Sequence, residues 1–158
     1  APVSRVKILL GSALGGATIS IVQGIMIFII SIIFGFRPDN WLMMIPALFI
    51  LIFMSLALTS FGAAIASSVE DFQGFQSINN LLVMPLFFLS SALYPLENVP
   101  TVLKVISTLN PVSYMVDALR YMMTGVTHFG LPLDLIVMTG TLVICVAFAV
   151  NRFNRLQV

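Results

Sequence analysis

Residues 40–69, NWLMMIPALFILIFMSLALTSFGAAIASSV, form a stretch of thirty residues without a charged side chain. A helix that crosses a membrane needs about 20 mainly apolar residues, with a range of about 17–25. Three further uncharged runs flank it, at 8–36, 72–96 and 135–151. Lipid offers the backbone no hydrogen-bond partners, and the runs lack the alternation of a barrel strand, so each is expected to be a helix.

The composition supports the same class of protein. Only 8% of the 158 residues are Asp, Glu, Lys or Arg, against about 25% in an ordinary soluble domain. The hydrophobic share of 59% also excludes a disordered chain. A net charge of +1 provides no basic surface for nucleic acid, and the single cysteine, Cys145, provides no disulfide framework.

The stretch from Tyr94 to Asp134 has a different character. It contains Pro95, Pro100, Pro111 and Pro132, yet it keeps apolar residues at helical spacing. Asn110 followed by Pro111 is typical of a helix start, with a capping side chain and a proline at the first helical position. Two short helices are therefore expected, each too short to cross a bilayer and each re-entrant or interfacial.

The predicted fold class is all-α integral membrane, with four transmembrane helices and two short re-entrant or interfacial helices before the last span. We treat 1–158 as a single membrane domain. The expected spans are about 8–36, 41–69, 72–94 and 134–152, and the expected short helices are about 100–110 and 111–124.

Four spans would place both ends of the chain on one side of the membrane. Arg5, Lys7, Arg152 and Arg155 lie close to the ends, whereas Arg37, Lys104 and Arg120 are spread over the opposite side. The positive-inside bias then predicts a multi-pass protein of the plasma (inner) membrane with both ends cytoplasmic.

Amide side chains open the third run. Gln73, Gln76 and Asn80 share one helical face. Amides that face lipid are costly, so this face should point into the bundle or into a wet cavity. Hydrogen bonding between helices and the lining of a pathway both remain open.

Small residues and one amide mark a face of the first run. Gln23 shares this face with Ser12 and Gly16, and a GxxxG pattern lies at 11–15. This spacing favours close helix packing, within the chain or against a second copy.

Asp117 and Arg120 are three residues apart on the second short helix, so they can form a pair. A structural clamp is favoured over a substrate ligand. His128 stands alone in a loop, and no metal site is predicted.

Several classes of chemistry find no support in the sequence. No GxxxxGK[ST] occurs, since the only lysines are Lys7 and Lys104, and neither HExxH nor a nucleophile elbow is present. The four runs carry no ionisable group, which disfavours proton-coupled transport. We predict no catalytic residue, and the energy for any transport must come from elsewhere.

Two motifs resemble the ABC-2 family of ABC transporter permeases. They are FLSSALYPLENVP at 88–100 and LNPVSYMVDALR at 109–120. The family shows S-G-x-x-[FY]-P-x-x-x-x-P and then L-N-P-x-x-Y-x-x-[DE]-x-x-R at a similar distance. Residues 69–72 and 1–4 also look like the family's cytoplasmic turn and the end of its coupling-helix segment.

The resemblance implies that the chain supplies spans three to six of a six-span permease. Such permeases pair with a second permease copy and with two ABC ATPase subunits, which bind ATP and Mg, while the permease itself binds no cofactor. They export drugs, lipids, antibiotics or polysaccharides, so multidrug efflux is one implied activity. The alternative is a non-enzymatic four-span channel or scaffold, although a channel would want a ring-forming motif or a charged pore lining.

The resemblance also implies roles for individual residues. Those near the translocation path would be Gln73, Gln76, Asn80 and Gln23. Asp117 and Arg120 would brace the outer gate. Coupling to the ATPase would involve Arg5, Glu70 and Asp71.

Overall fold

The computed structural model describes residues 5–69, 71–94 and 99–155, and these residues form helices without strands. The helices are α1 (Arg5–Ile33), α2 (Met44–Ala66), α3 (Phe72–Phe88), α4 (Thr101–Leu109), α5 (Pro111–Thr124) and α6 (Leu131–Arg155), with a 3-10 turn at Trp41–Met43 before α2. The all-α prediction is confirmed for the described part of the chain.

Three of these segments are long and apolar enough to cross a membrane: Gly11–Ile33, Trp41–Ala66 and Leu131–Arg152. The third expected span, over 72–94, is wrong in its extent because α3 ends at Phe88. With 17 residues, α3 rises only about 26 Å, against about 30 Å for the hydrocarbon core. Pro85 removes one backbone donor from the last turn of α3, and Ser91, three residues after its end, adopts a left-handed φ of 60° that a right-handed helix cannot contain.

α1 and α2 form a hairpin, and residues 34–43 connect them at what we call the linker end of the bundle. The Oδ1 atom of Asn40 accepts a hydrogen bond from Leu42 N at 2.9 Å, which caps the 3-10 turn. The ring of Trp41 lies edge-on to Phe28, with ring centroids 6.5 Å apart. The linker also contacts α5, since Asp39 N donates to Met123 O at 3.4 Å.

α2 lies at the centre and packs against α1, α5 and α6. The main core cluster draws on three helices and consists of Ala47, Ile50 and Ala57 from α2, Met115, Ala118 and Met122 from α5, and Met138 from α6. Although α5 has only 14 residues, it is therefore packed between α2 and α6 rather than on their outer surface. Its start and end follow the local signals, because the side chain of Asn110 caps it and Gly125 ends it with a φ of 69°.

The start of α6 lies three residues before the expected start of the last span. The helix begins at Leu131, so its first turn brings Asp134 into the last candidate span. Asp134 is fully buried. The last candidate span therefore carries a buried acid next to the uncharged run at 135–151.

Close packing of α1 on α2 depends on Gly16 and Gly24. A Cβ atom added at Gly16 would lie 2.6 Å from Cγ2 of Thr59, and one added at Gly24 would lie 2.8 Å from Cδ2 of Leu51. The GxxxG pair behaves differently, because a Cβ atom at Gly11 or Gly15 would meet nothing within 4 Å. The GxxxG face is therefore open in the described structure.

We expect Gly16→Ala to lower the melting temperature of the protein. The added methyl group would press on the stiff, β-branched Thr59, and overpacking of this kind costs about 1–3 kcal/mol. The matched control is Gly15→Ala, one residue away in open space, where alanine gains about 1 kcal/mol of helix propensity. Thr59→Ala should rescue Gly16→Ala in the double variant. Equal melting temperatures for Gly15→Ala and Gly16→Ala would contradict the close approach.

Candidate functional site: side chains that cap the end of α3

The last carbonyl groups of a helix have no partner within it and must be satisfied by other donors. At the end of α3 the backbone satisfies only some of them, with Leu89 N bonding Pro85 O at 2.9 Å and Ser90 N bonding Phe87 O at 3.1 Å. Side chains from the following helices bond the carbonyls of Leu86, Leu89 and Ser91. We call the three donors, Ser107, Asn110 and Arg120, the carbonyl clamp.

Asn110 connects the end of α3 to the start of α5. Its Nδ2 donates to Leu86 O at 2.6 Å, and its Oδ1 accepts from Val112 N at 3.0 Å. The side chain is buried, so both halves of the amide are used where water has little access. One carboxamide thus satisfies a C-terminal acceptor of one helix and an N-terminal donor of another.

Ser107 holds α4 against the same helix end. Its Oγ donates to Leu89 O at 2.8 Å, and the residue is fully buried. Tyr114 Oη then donates to Thr108 O at 2.7 Å, which ties α5 to the last turn of α4. The two short helices therefore move together with the end of α3 as long as these bonds hold.

Arg120 completes the clamp and forms the pair expected with Asp117. Its Nη2 donates to Ser91 O at 2.6 Å, and its Nη1 lies 3.8 Å from Asp117 Oδ1. The bond to Ser91 holds a residue whose left-handed backbone is unfavourable for any side chain. The side chain of Arg120 is 28% exposed, whereas that of Asp117 is fully buried.

The main partners of Asp117 lie in the loop between α5 and α6. Its Oδ2 accepts from Thr127 Oγ1 at 2.9 Å, His128 N at 2.8 Å and Phe129 N at 2.9 Å. A carboxylate that accepts several such bonds fixes a loop strongly, because each bond is assisted by the charge. Sequence reasoning found the pair with Arg120 but missed these loop donors, since two of them are backbone amides.

Asp134 is a buried acid that sequence reasoning missed. Both of its carboxyl oxygens lack a hydrogen-bond partner among the described residues, as does the buried Oγ of Ser113. Asp134 lies near enough to Asp117 for the two carboxyl groups to interact electrostatically. The sequence offers one signal for this residue: Asp134 directly precedes the last uncharged run, so it falls in the first turn of the helix that the run forms.

The path candidates do not form a site within one chain. Gln73, Gln76 and Asn80 lie on α3 with exposed side chains, and Gln23 is exposed on α1. The described contacts do not join Gln23 to the amides of α3.

Two of the coupling candidates, Asp71 and Arg5, lie at helix starts. Asp71 is exposed and immediately precedes α3, where its carbonyl accepts from Phe75 N at 3.1 Å. Arg5 begins α1. Glu70 lies outside the described residues, as does the side chain of Arg5.

Comparison with known proteins shows which family this chain belongs to. Residues 1–124 match the family model described as ABC-2 type transporter, and this range includes every residue of the carbonyl clamp. The chain belongs to the ABC-2 type transporter family. The resemblance carried by the motifs at 88–100 and 109–120 is thereby confirmed.

Curated relatives agree with this assignment. The chain is 29% identical over 119 residues to a putative transport permease ycf38 of Cyanophora paradoxa, covering 75% of this chain and 41% of that protein. It is 32% identical over 125 residues to the ycf38 permease of Pyropia yezoensis, covering 78% and 43%. Nodulation protein J of Rhizobium leguminosarum bv. trifolii is 27% identical over 118 residues, covering 75% and 44%. The chain thus spans less than half the length of these relatives.

Family membership makes this ABC-2 chain a membrane component of a transporter. Permeases of the family lack an ATPase domain and bind no cofactor themselves. The described residues contain no group of three or more His, Cys, Asp or Glu that could hold a metal ion.

The variant Asn110→Asp separates the two hydrogen bonds of the Asn110 side chain, one to Leu86 O and one from Val112 N. The variant keeps an oxygen to cap α5 but loses the donor to Leu86 O, and leaving a buried acceptor unpaired costs about 1–3 kcal/mol. We expect a lower melting temperature. Thr108→Val is the control, because its hydroxyl bonds only Lys104 O of its own helix. If both variants melt at the same temperature, the clamp bond contributes nothing.

Asp117→Asn should loosen the loop between α5 and α6. A neutral amide oxygen accepts hydrogen bonds about half as strongly as a carboxylate. We expect the amide hydrogens of His128 and Phe129 to exchange with deuterium about fivefold to tenfold faster, which corresponds to about 1 kcal/mol per bond. Asp39→Asn, at an exposed aspartate of the linker, should leave these rates unchanged. Unchanged exchange in Asp117→Asn would contradict the assigned role.

Proposed function

We propose that the chain is the membrane-spanning permease component of an ATP-driven exporter and that it forms its translocation path together with a second permease copy. The observation that carries this proposal is the exposed row of Gln73, Gln76 and Asn80 on α3 in a chain of the ABC-2 family. Exposed amides at membrane depth need a protein or water environment. A second copy facing this row would supply one.

The proposed topology has four crossings, with α3 as the third and with both ends of the described chain in the cytoplasm. This orientation is favoured because four Lys or Arg residues lie near the ends of the chain and three lie on the opposite side. The linker end of the bundle, with α4, α5 and the carbonyl clamp, then faces outwards from the plasma (inner) membrane.

In the proposed mechanism, an ABC ATPase partner binds ATP and Mg and pushes on the cytoplasmic starts of α1 and α3. Arg5 at the start of α1 and Asp71 before α3 would receive the push, together with Glu70, the sequence neighbour of Asp71. α3 carries the displacement along its length as a continuous helix. At its far end the carbonyl clamp passes the displacement to α4 and α5.

Asp117 and Arg120 act as the outer brace in this mechanism. Arg120 bonds the turn after α3, and Asp117 bonds the loop before α6, so the pair links the two helices across α5. A movement of α3 relative to α6 must strain this link. The brace therefore sets how far the outer side can open.

The proposed cargo is amphipathic or apolar. The row on α3 offers amides and aliphatic side chains but no charge to recognise an ionic group. Drug efflux is a more specific proposal within this class, and it rests on the resemblance to exporters alone, because the relatives are named only as transport permeases and a nodulation protein.

The test begins with the full-length protein, purified from native membranes with the subunits it retains. An orthovanadate-sensitive ATPase from a separate subunit should co-purify. Gln76→Leu with Asn80→Leu should then lower transport of a fluorescent amphipathic probe severalfold in inside-out vesicles, because the lining loses its polar groups. Purification without any ATPase would refute the exporter and favour a channel or scaffold.

The control for the double variant is Thr18→Leu with Thr139→Leu. Both threonines are exposed, and each hydroxyl bonds only a carbonyl of its own helix. Transport should stay at the wild-type level in this control. If Gln76→Leu with Asn80→Leu transports equally well, the row on α3 does not line the path.

A further inference from the structure

A groove runs between α1, α2 and α5 near the linker end. Its deeper part is an apolar cavity of about 370 Å³, with Gly24 and Phe28 on α1, Leu48 and Leu51 on α2, and Leu119 on α5 among its lining. Apart from the hydroxyl of Ser31, which bonds Ile27 O of its own helix, its lining side chains are hydrocarbon or thioether.

A second cavity of about 270 Å³ continues the groove towards the linker end. The two cavities share Ser31, Leu119 and Met123 in their linings, and the second adds Arg120 and Thr124. We call the continuous feature the α1–α5 groove. Ligand sites in proteins measure about 300–1,000 Å³, so it is large enough for a small molecule or a lipid chain.

The depth of the groove matches one leaflet of a bilayer. Gly24 lies nine residues before Ile33, the end of α1, which corresponds to about 13 Å along the helix. Half of the hydrocarbon core is about 15 Å. The apolar part therefore lies at acyl-chain depth, and Arg120 lies near the polar boundary, where the exposed Trp41 marks the same end.

Arg120 keeps hydrogen-bonding capacity for a ligand. A guanidinium group has five N–H donors, and the described bonds use Nη2 on Ser91 O. Its distance of 3.8 Å to Asp117 exceeds the roughly 2.7–2.9 Å of a charge-assisted hydrogen bond. The nearest carboxylate oxygen, Asp117 Oδ1, pairs with Arg120 by charge but forms no hydrogen bond with it, so the remaining N–H donors of the guanidinium group stay available.

We propose that the α1–α5 groove binds one phospholipid with an anionic head group from the leaflet at the linker end. An acyl chain packs against Phe28, Leu48 and Leu51, and Arg120 donates hydrogen bonds to the phosphate. The charge of Arg120 complements the head group, and the apolar cavity complements the chain. A free phosphate would leave the apolar part empty, so the lipid is the occupant that fits both parts. The site is independent of the proposed row on α3.

Native mass spectrometry of the full-length protein, with the subunits it retains, tests the proposal. The detergent-purified protein is given equal amounts of phosphatidylglycerol and phosphatidylcholine. We expect one retained phosphatidylglycerol per chain, preferred by about tenfold, because the choline cation of phosphatidylcholine offsets the attraction of its phosphate to Arg120. Leu48→Trp should fill the groove and abolish this retention. Phe49→Trp is the matched control, because Phe49 is exposed on the same helix but does not line the groove.

The head-group contact has its own variants. Arg120→Gln should remove the preference for phosphatidylglycerol, and Arg120→Lys should retain part of it. Arg120 also bonds Ser91 O, so replacing Arg120 also removes a contact within the fold. The comparison of Leu48→Trp with Phe49→Trp tests lipid binding without changing that contact.

Three outcomes would overturn the proposal. In the first, Leu48→Trp retains the lipid as well as wild type. In the second, inorganic phosphate alone displaces the lipid, which would show an anion site without the apolar part. In the third, a photoreactive side chain placed at Leu48 crosslinks to another protein segment, of this chain or of a second copy, instead of to lipid.

Discussion

The structure of the linker end depends on the satisfaction of three backbone carbonyls. α3 ends within apolar surroundings, where an unpaired carbonyl costs several kcal/mol. Leu86 O and Leu89 O therefore draw α4 and α5 back against the end of α3 through Asn110 and Ser107. The position of both short helices, and of the loop that Asp117 holds, follows from this requirement. The same bonds join α3 to the two short helices without any large apolar interface.

Local signals could be predicted from the sequence. The capping of α5 by Asn110 and its end at Gly125 need only neighbouring residues, and both were found. The long apolar runs also predicted helices, because the membrane leaves the backbone few alternatives. The family followed from the motifs at 88–100 and 109–120, whose residues lie close together in the chain.

Long-range contacts escaped prediction for a physical reason. The second bond of Asn110 reaches 24 residues back to Leu86, and Asp117 binds backbone amides that have no sequence signature. The third expected span, 72–94, extends past the end of α3 at Phe88, because an uncharged run does not show where a helix ends. The left-handed Ser91 was missed because its carbonyl is held by Arg120, which lies far along the chain on α5. The buried Asp134 was missed because its burial depends on how the helices pack. For the candidate site, the sequence therefore indicated the residues but few of their partners.

The embedding of α5 has a consequence for the order of assembly. α5 is too short to insert by itself, and its apolar side chains pack on α2 and on Met138 of α6. During synthesis, α6 emerges after α5, so the surface that receives α5 is incomplete until α6 has entered the membrane. The hydrogen bonds of Asn110 and Asp117 need no residue of α6, because their partners all precede that helix in the chain. The packing of α5 against α6 is therefore the step of assembly that has to wait, although α5 lies in the middle of the bundle's sequence.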